Sequence, residues 1–316
     1  MVPESYQHLV QRGGAADLSP RAKFALSGRD RVRYLNGQVT NDVKSASADA
    51  AIYACVTNAK GRIEGDVYIH SAPGAEGPLL LDAEEGLREH LSARLDRYIV
   101  ADDVELLDVT EDWRLWHFFG PCADVARSLP LPEGSARLES TRMGLPGVDV
   151  WLPATGPGLA LPGDVQILTA EEWEALRILR GIPRWPREIN ADAFPQEAGL
   201  ESRAMSFTKG CYIGQEILSR IKLTGKMPRR LVRIELTEMA ADAPAWEAAG
   251  APLILFDGSQ EPPKVVGQVT SVTRHPALDR VVGLAYVRHG LEVGDSLLIG
   301  SEEPLRIFAK VDISPT

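Results

Sequence analysis

Cysteine is scarce in this 316-residue chain: Cys55, Cys122 and Cys211 form an odd, widely spaced set without a Cys-x-x-Cys pair. That excludes a disulfide framework and the usual zinc site, and it suits a reducing cytoplasm. Cys55 and Cys122 sit in apolar stretches and read as small buried residues. Histidine is sparse too, and His8, His70, His90, His117, His275 and His289 show no helical or zinc-finger spacing, so no metal site is expected. The longest apolar runs, Pro78–Leu81 and Ala251–Phe256, are far too short to span a bilayer. Met1–His8 has neither a basic start nor an apolar stretch, so no signal peptide is expected. Absence of a Gly-x-Gly-x-x-Gly or Gly-Lys-Ser/Thr loop removes the common routes to dinucleotides and nucleoside triphosphates.

What remains is ordinary globular composition, 44% hydrophobic and 25% charged, long enough for two or three packed units. A net charge of -10 argues against a general nucleic-acid binder. The charge is uneven: Ser202 to Arg233 holds eight basic residues and one acid, Glu216. Such a stretch is either a solvated face or an anion-focusing patch. Because it begins inside Lys209–Glu216, an anionic ligand is favoured.

Ala51–Thr57 and Arg62–His70 read as strands joined by the turn Asn58–Gly61. Leu87, Leu91 and Leu95 recur every four residues and predict an amphipathic helix over 84–99. Strands are expected near 104–109, 113–119 and 147–152, with Trp113 and Trp116 on opposite faces as core residues. Thr169-Ala-Glu-Glu172 is a capping box opening a helix through Leu179, closed by Gly181-Ile182-Pro183. The aperiodic stretch between Pro183 and Phe207 is long enough to be functional. Beyond Gly225, six short β-type runs predict a small barrel or sandwich, so the chain divides into 1–225 and 226–316; alanine-rich Ala240–Pro244 is not taken as the boundary.

Lys209-Gly-Cys-Tyr-Ile-Gly-Gln-Glu216 places Cys211 between two glycines and beside a lysine, before a helix with Ile217, Leu218 and Ile221 on one face. A thiol at the mouth of that helix would have the dipole and Lys209 favouring its thiolate.

This octapeptide, with Arg220 beyond it, closely resembles the signature of the YgfZ-type folate-binding proteins, relatives of the glycine-cleavage aminomethyltransferase (T-protein). Tyr34–Val43, Asn58–Ile63 and Pro195-Gln196-Glu197 resemble further family segments in the expected order, so that the likeness covers roughly residues 20 to 235. The resemblance implies an α+β fold: two interleaved α+β units plus a C-terminal β-barrel, around a central cavity holding tetrahydrofolate. It implies Cys211, Lys209 and Asp66 as the chemically active residues. It also implies Asn36, Gln38, Asn41, Asp66, Gln215, Glu216 and Arg220 as folate contacts.

Two departures stand out. T-proteins carry two successive aspartates where this chain has Gly65-Asp66, which removes one candidate acid/base group. The family's acid in Arg-Ile-Glu-x-Gly-Ile-Pro is replaced by Leu179, leaving Arg177 to be read as a helix-surface residue. The expected function is that of a bacterial, cytoplasmic, folate-binding accessory protein of iron–sulfur cluster assembly or repair. Its expected partners are folate and iron–sulfur or tRNA-modifying enzymes, without membrane or direct nucleic-acid binding. The alternative is a tetrahydrofolate-dependent aminomethyltransferase.

Overall fold

The computed structural model describes residues 13–47, 49–72, 77–237, 253–259, 261–275, 280–292, 295–300, 304–305 and 307–312. The expectations placed on Met1–His8 and Ala240–Pro244 lie outside the described residues.

The chain opens with β1 (Gly14–Asp17), β2 (Ala22–Ser27) and α1 (Arg31–Gln38). The expected hairpin is β3 (Ile52–Thr57) and β4 (Ile63–Ser71), with Tyr53 opposite Tyr68 and Cys55 opposite Asp66. Then come β5 (Leu79–Ala83) and α2 (Arg88–Asp96). Helix α2 is shorter than the leucine spacing predicts because Glu85–Leu87 winds as a 3-10 turn, yet Leu87, Leu91 and Leu95 all face the core. Next are β6 (Glu105–Asp108), β7 (Trp113–Phe119), α3 (Cys122–Ser128), β8 (Ala136–Arg142) and β9 (Leu145–Pro153). Thr169 and Glu172 form the expected reciprocal cap on α4 (Ala170–Leu179). The aperiodic stretch carries one short helix among its described residues, α5 (Glu201–Ala204), and leads into α6 (Gln215–Thr224). Strands β10 (Arg229–Thr237), β11 (Ile254–Asp257), β12 (Lys264–His275), β13 (Arg280–Arg288), β14 (Ser296–Gly300), β15 (Pro304–Leu305) and β16 (Ile307–Asp312) complete the chain.

Three sheets result. The first runs β3-β4-β5-β2-β6 and buries one face under Leu35 of α1 and Leu91 and Leu95 of α2. The second runs β1-β7-β9-β8, with Ala123 and Ala126 of α3 in its core. Because β1 belongs to the second sheet and the chain returns there only at β7, the two α+β units are interleaved. In the third, β11 pairs with β12 on one side and β14 on the other, joining the ends of β11-β12-β13-β10-β16-β14 into a small barrel.

Buried charge joins the two interleaved units. Arg142 on β8, 2% exposed, reaches Asp82 of β5 at 2.6 Å and Asp149 of β9 at 2.7 Å. His117 Nδ1 and His70 Nε2 also meet Asp149, at 2.7 and 3.0 Å. Burial alone would raise the Asp149 carboxyl, but Arg142 and the two imidazoles hold it well below the usual carboxylate range. His70, Asp82 and Asp149 thus come close enough to resemble a metal ligand set, which their scatter in sequence hides. Arg142 itself bonds both carboxylates there.

Replacing Arg142 by Met should therefore cost about 3–5 kcal/mol, because removing one partner strands two buried carboxylates. Guanidinium unfolding of the two proteins measures this; a loss under about 1 kcal/mol would mean that the clamp does not hold the units together.

Candidate functional site

A cleft opens on the face of the first sheet turned away from α1 and α2. It is shallow in this structure: a water-sized sphere has about 50 Å³ in which to move, and the 490 Å³ free of atoms includes open solvent at the mouth. Tyr53, Asp66 and Tyr68 rise from β3 and β4, Arg142 and Met143 come from the β8 end, and Trp173 and Arg177 come from α4. Strand alternation puts the first three on one face. The two-residue β8–β9 turn requires positive φ, and Met143 (φ 50) adopts it without being glycine, a strained position at the cleft wall. The Tyr53 and Tyr68 rings lie 4.7 Å apart, and Arg142 sits 4.0 Å over Tyr68.

Asp66 is the distinctive group. It is buried, Tyr53 Oη donates to its Oδ2 at 2.9 Å, and its Oδ1 has no hydrogen-bond partner among the described residues. Burial pushes the carboxyl up to about 6, with Glu84 and Asp82 adding to the rise and Arg21 and Tyr53 opposing it. An unpaired buried acceptor on a residue that lines a cleft is a place for a ligand's N–H or amino group.

Position 65 behaves otherwise. A Cβ on Gly65 would meet Leu91 Cδ2 at 2.8 Å, so a side chain there would enter the core under α2. Contrary to expectation, Gly65 therefore costs the cleft no carboxylate: an aspartate at 65 would face away from Asp66. Arg177 also departs from expectation. It is buried, not on the surface, and bonds Glu188 Oε2 at 2.9 Å, the Ile182 carbonyl at 2.7 Å and Ser271 Oγ at 2.8 Å. Since Ser271 is on β12, Arg177 ties α4 to the barrel where it lines the cleft.

The Lys209–Glu216 segment lies elsewhere, along the edge strand β3, and divides in two. Lys209 Nζ donates to the carbonyls of Asn36 at 2.6 Å, Val39 at 2.8 Å and Asn41 at 2.6 Å. Two of the ammonium's bonds thus cap the negative end of α1, at Asn36 and the C-cap Val39, where charge and orphan carbonyls favour a cation, and the third holds the loop that follows at Asn41. Burial pushes Lys209 down to about 8, against the pull of Asp42. Gly214 is the N-cap of α6 at φ 89, and a Cβ there would lie 2.5 Å from the Asn58 carbonyl, so only glycine fits. Gln215 accepts from Tyr212 N at 3.3 Å.

Cys211 is exposed and precedes the first residue of α6 by four positions, so it is not in the helix's first turn. The expected support from the dipole and from Lys209 is replaced by a loop thiol beside a lysine committed to carbonyls. Glu216 and Arg220 also face solvent, 3.6 Å apart. The other residues expected at the ligand are engaged internally. Asn36 Oδ1 accepts from Val43 N, Gln38 Oε1 accepts from Arg94, and Asn41 Nδ2 donates to the Tyr53 carbonyl at 2.9 Å. Asp66 alone of the expected set lines the cleft.

Tyr53 and Tyr68 were within reach of sequence reasoning, because the Asn58–Gly61 turn fixes the register that sets them beside Asp66. Arg142, Met143 and Trp173 arrive from distant elements and carry no sequence signal.

Lys209→Met should lower stability by about 2–4 kcal/mol, the scale of lost hydrogen bonds to a charged group, whereas Cys211→Ser should change it by under about 0.5 kcal/mol, as surface substitutions do. Chemical denaturation of both variants checks the split; equal costs would show that the segment is not divided as described.

Comparison with known proteins agrees with this architecture. Residues 1–129 match the GCVT N-terminal domain and residues 229–314 the glycine cleavage T-protein C-terminal barrel domain. The chain is 31% identical over 226 residues to the tRNA-modifying protein YgfZ of Yersinia pestis (strain Pestoides F), covering 66% of this chain and 67% of that one. It is 25% identical over 284 residues to the mitochondrial iron-sulfur cluster assembly factor IBA57 homolog of Aspergillus oryzae, covering 80% of this chain and 62% of that protein's length. The crystal structure of glycine cleavage system aminomethyltransferase T from Bartonella henselae superposes with a TM-score of 0.77 at 19% identity, over 98% of this chain and 88% of that one. With T-protein domains at both ends and the YgfZ likeness between them, the chain belongs to the YgfZ family of glycine-cleavage T-protein relatives.

Proposed function

We propose that the protein binds a reduced folate in the Asp66 cleft and serves, in the cytoplasm, the assembly or repair of iron–sulfur clusters, including those of tRNA-modifying enzymes. The tRNA-modifying and iron–sulfur cluster assembly roles named for the Yersinia and Aspergillus relatives support the second half. The unpaired, buried Oδ1 of Asp66, on a residue that lines the cleft, carries the first. A pterin presents ring N–H and amino donors to such an oxygen, and the tyrosines and Trp173 offer apolar walls. When bound, the folate would supply one-carbon carrier chemistry; Asp66 would orient its ring. In this reading residues 1–225 form the folate-binding region and 226–316 the barrel that closes it.

The exposed Cys211 belongs, with Glu216 and Arg220, to a face open to a protein partner. Lys209, Asn36, Gln38, Asn41 and Gln215 support that face and the cleft wall through their internal bonds. Aminomethyl transfer is the second reading. It is favoured by the orientation of Gly65, which leaves the cleft carboxylate of this chain intact. Glycine turnover in a reconstituted cleavage system at the rate of a genuine T-protein would establish it in place of the accessory role.

Asp66→Asn is the direct test. A folded pKa near 6 lies above the ordinary aspartate value of 3.8. Stability from the protonated acid is therefore full below pH 3.8 and lost as pH rises through 6. The amide escapes this loss, so the variant should gain about 1–3 kcal/mol above pH 7. Its tetrahydrofolate affinity should fall about 10–100-fold, as expected for losing a charged acceptor. Wild-type affinity should weaken as pH drops through 6. Calorimetry and thermal melts across pH 5–8 read both; unchanged affinity in the variant would overturn the folate reading.

A further inference from the structure

A second concavity lies where the 187–190 segment meets the barrel, about 1050 Å³ counted out to its mouth, with Arg187, Asn190, Arg229, Gln268, Tyr286 and Arg288 on its walls. Its shape follows from two bulges in β12. Val266 is the extra residue between the pairs Leu255–Gly267 and Phe256–Val265, and Thr270 the extra residue between Val269–Ala285 and Ser271–Leu284. Bulges bend a strand and re-aim its groups, and the Thr270 carbonyl lies 3.5 Å from Arg187 Nη1.

The charge arrangement is unusual for a sheet. Arg229 and Arg288 are register partners on β10 and β13, so their side chains rise on the same face. Like charges directly opposite destabilise a sheet. Arg229 is partly offset: it lies 3.3 Å from Glu197 Oε2, donates to the Asp192 carbonyl at 2.9 Å and covers the Tyr286 ring at 4.4 Å. Arg288 is exposed and has no such partner among the described residues. Arg187 adds a third guanidinium, and no Asp or Glu is among the described residues lining the concavity.

We propose that this concavity binds a phosphate group, independently of the Asp66 cleft. Guanidinium forks match phosphate bidentately. A phosphate offers three oxygens and about -1.5 to -2 charges, enough for more than one fork, where a carboxylate offers two oxygens and one charge. Tyr286 is buried beneath Arg229 and presents no face on which a base could stack, so recognition is of the phosphate itself. Such a singly esterified phosphate belongs to a small phosphorylated molecule or to the phosphorylated end of a nucleic acid, which share this chemistry; an internal backbone diester has only one charge and two free oxygens.

Titration of the full chain with inorganic pyrophosphate at low salt tests the proposal. Wild type should show one saturable site, Arg288→Ala should bind at least tenfold more weakly, and Arg288→Lys should fall between. Without ligand, Arg288→Ala should melt no lower than wild type, since it removes a like-charge contact, and pyrophosphate should raise the wild-type melting temperature far more than the variant's. A short 5′-phosphorylated oligouridylate distinguishes the sources: binding tighter than pyrophosphate, competing with it and lost when the 5′ phosphate is removed, assigns the site to a nucleic-acid end, and pyrophosphate binding alone assigns it to a small phosphorylated molecule. No saturable binding of either ligand at millimolar concentration, or equal affinity in Arg288→Ala, would overturn it.

Discussion

A guanidinium buried between two carboxylates cannot shift without exposing three charges to a medium that solvates them poorly. Arg142 is in that position, and its partners come from both interleaved sheets: Asp82 on β5, and Asp149 on β9. The same side chain lies over Tyr68 and lines the cleft. The pairing that fixes one sheet against the other therefore also fixes the cleft wall. Arg177 repeats the device between α4 and the barrel through Glu188 and Ser271, while Tyr286 Oη donates to the Glu188 carbonyl at 2.8 Å. Three units are held around one concavity by buried polar groups, which specify geometry where apolar packing would allow sliding.

Within this frame Asp66 is the exception. Asp82 and Asp149 are held in the ionised form by neighbouring cations, whereas Asp66 has a tyrosine hydroxyl on one oxygen and, among the described residues, no hydrogen-bond partner on the other. Its raised pKa measures the cost of that arrangement in the free protein. A site that stores such a cost and faces a cleft is where binding energy can be recovered. The Lys209–Glu216 segment shows the opposite economy. Its buried members are satisfied by the chain itself, and its chemically reactive member, Cys211, is presented outward.

Much of the fold was legible because local rules decide it. The β3–β4 hairpin follows from its turn, α4 from its capping box, and the barrel strands from their spacing. The site was legible only in part. Asp66 could be named but not its burial, since a strand acid flanked by glycine looks the same in water or under Tyr53. Arg177 was misread because its partners, Glu188 and Ser271, lie on elements that sequence cannot bring together. Cys211 was read as lying in reach of the α6 dipole, but with Gly214 as N-cap the helix begins at Gln215, four residues beyond the thiol. Gly65 was misjudged because two neighbours on a strand were treated as sharing a face.

The central claim is that the cleft carboxylate waits for a folate ring. Carbon-13 carboxyl NMR of the protein labelled at aspartate, with Asp66→Asn to assign the resonance, reads it directly. The account predicts a titration midpoint near 6 in the free protein, moving lower when tetrahydrofolate is added. A midpoint at the ordinary aspartate value, or one near 6 that tetrahydrofolate leaves unmoved, would contradict it.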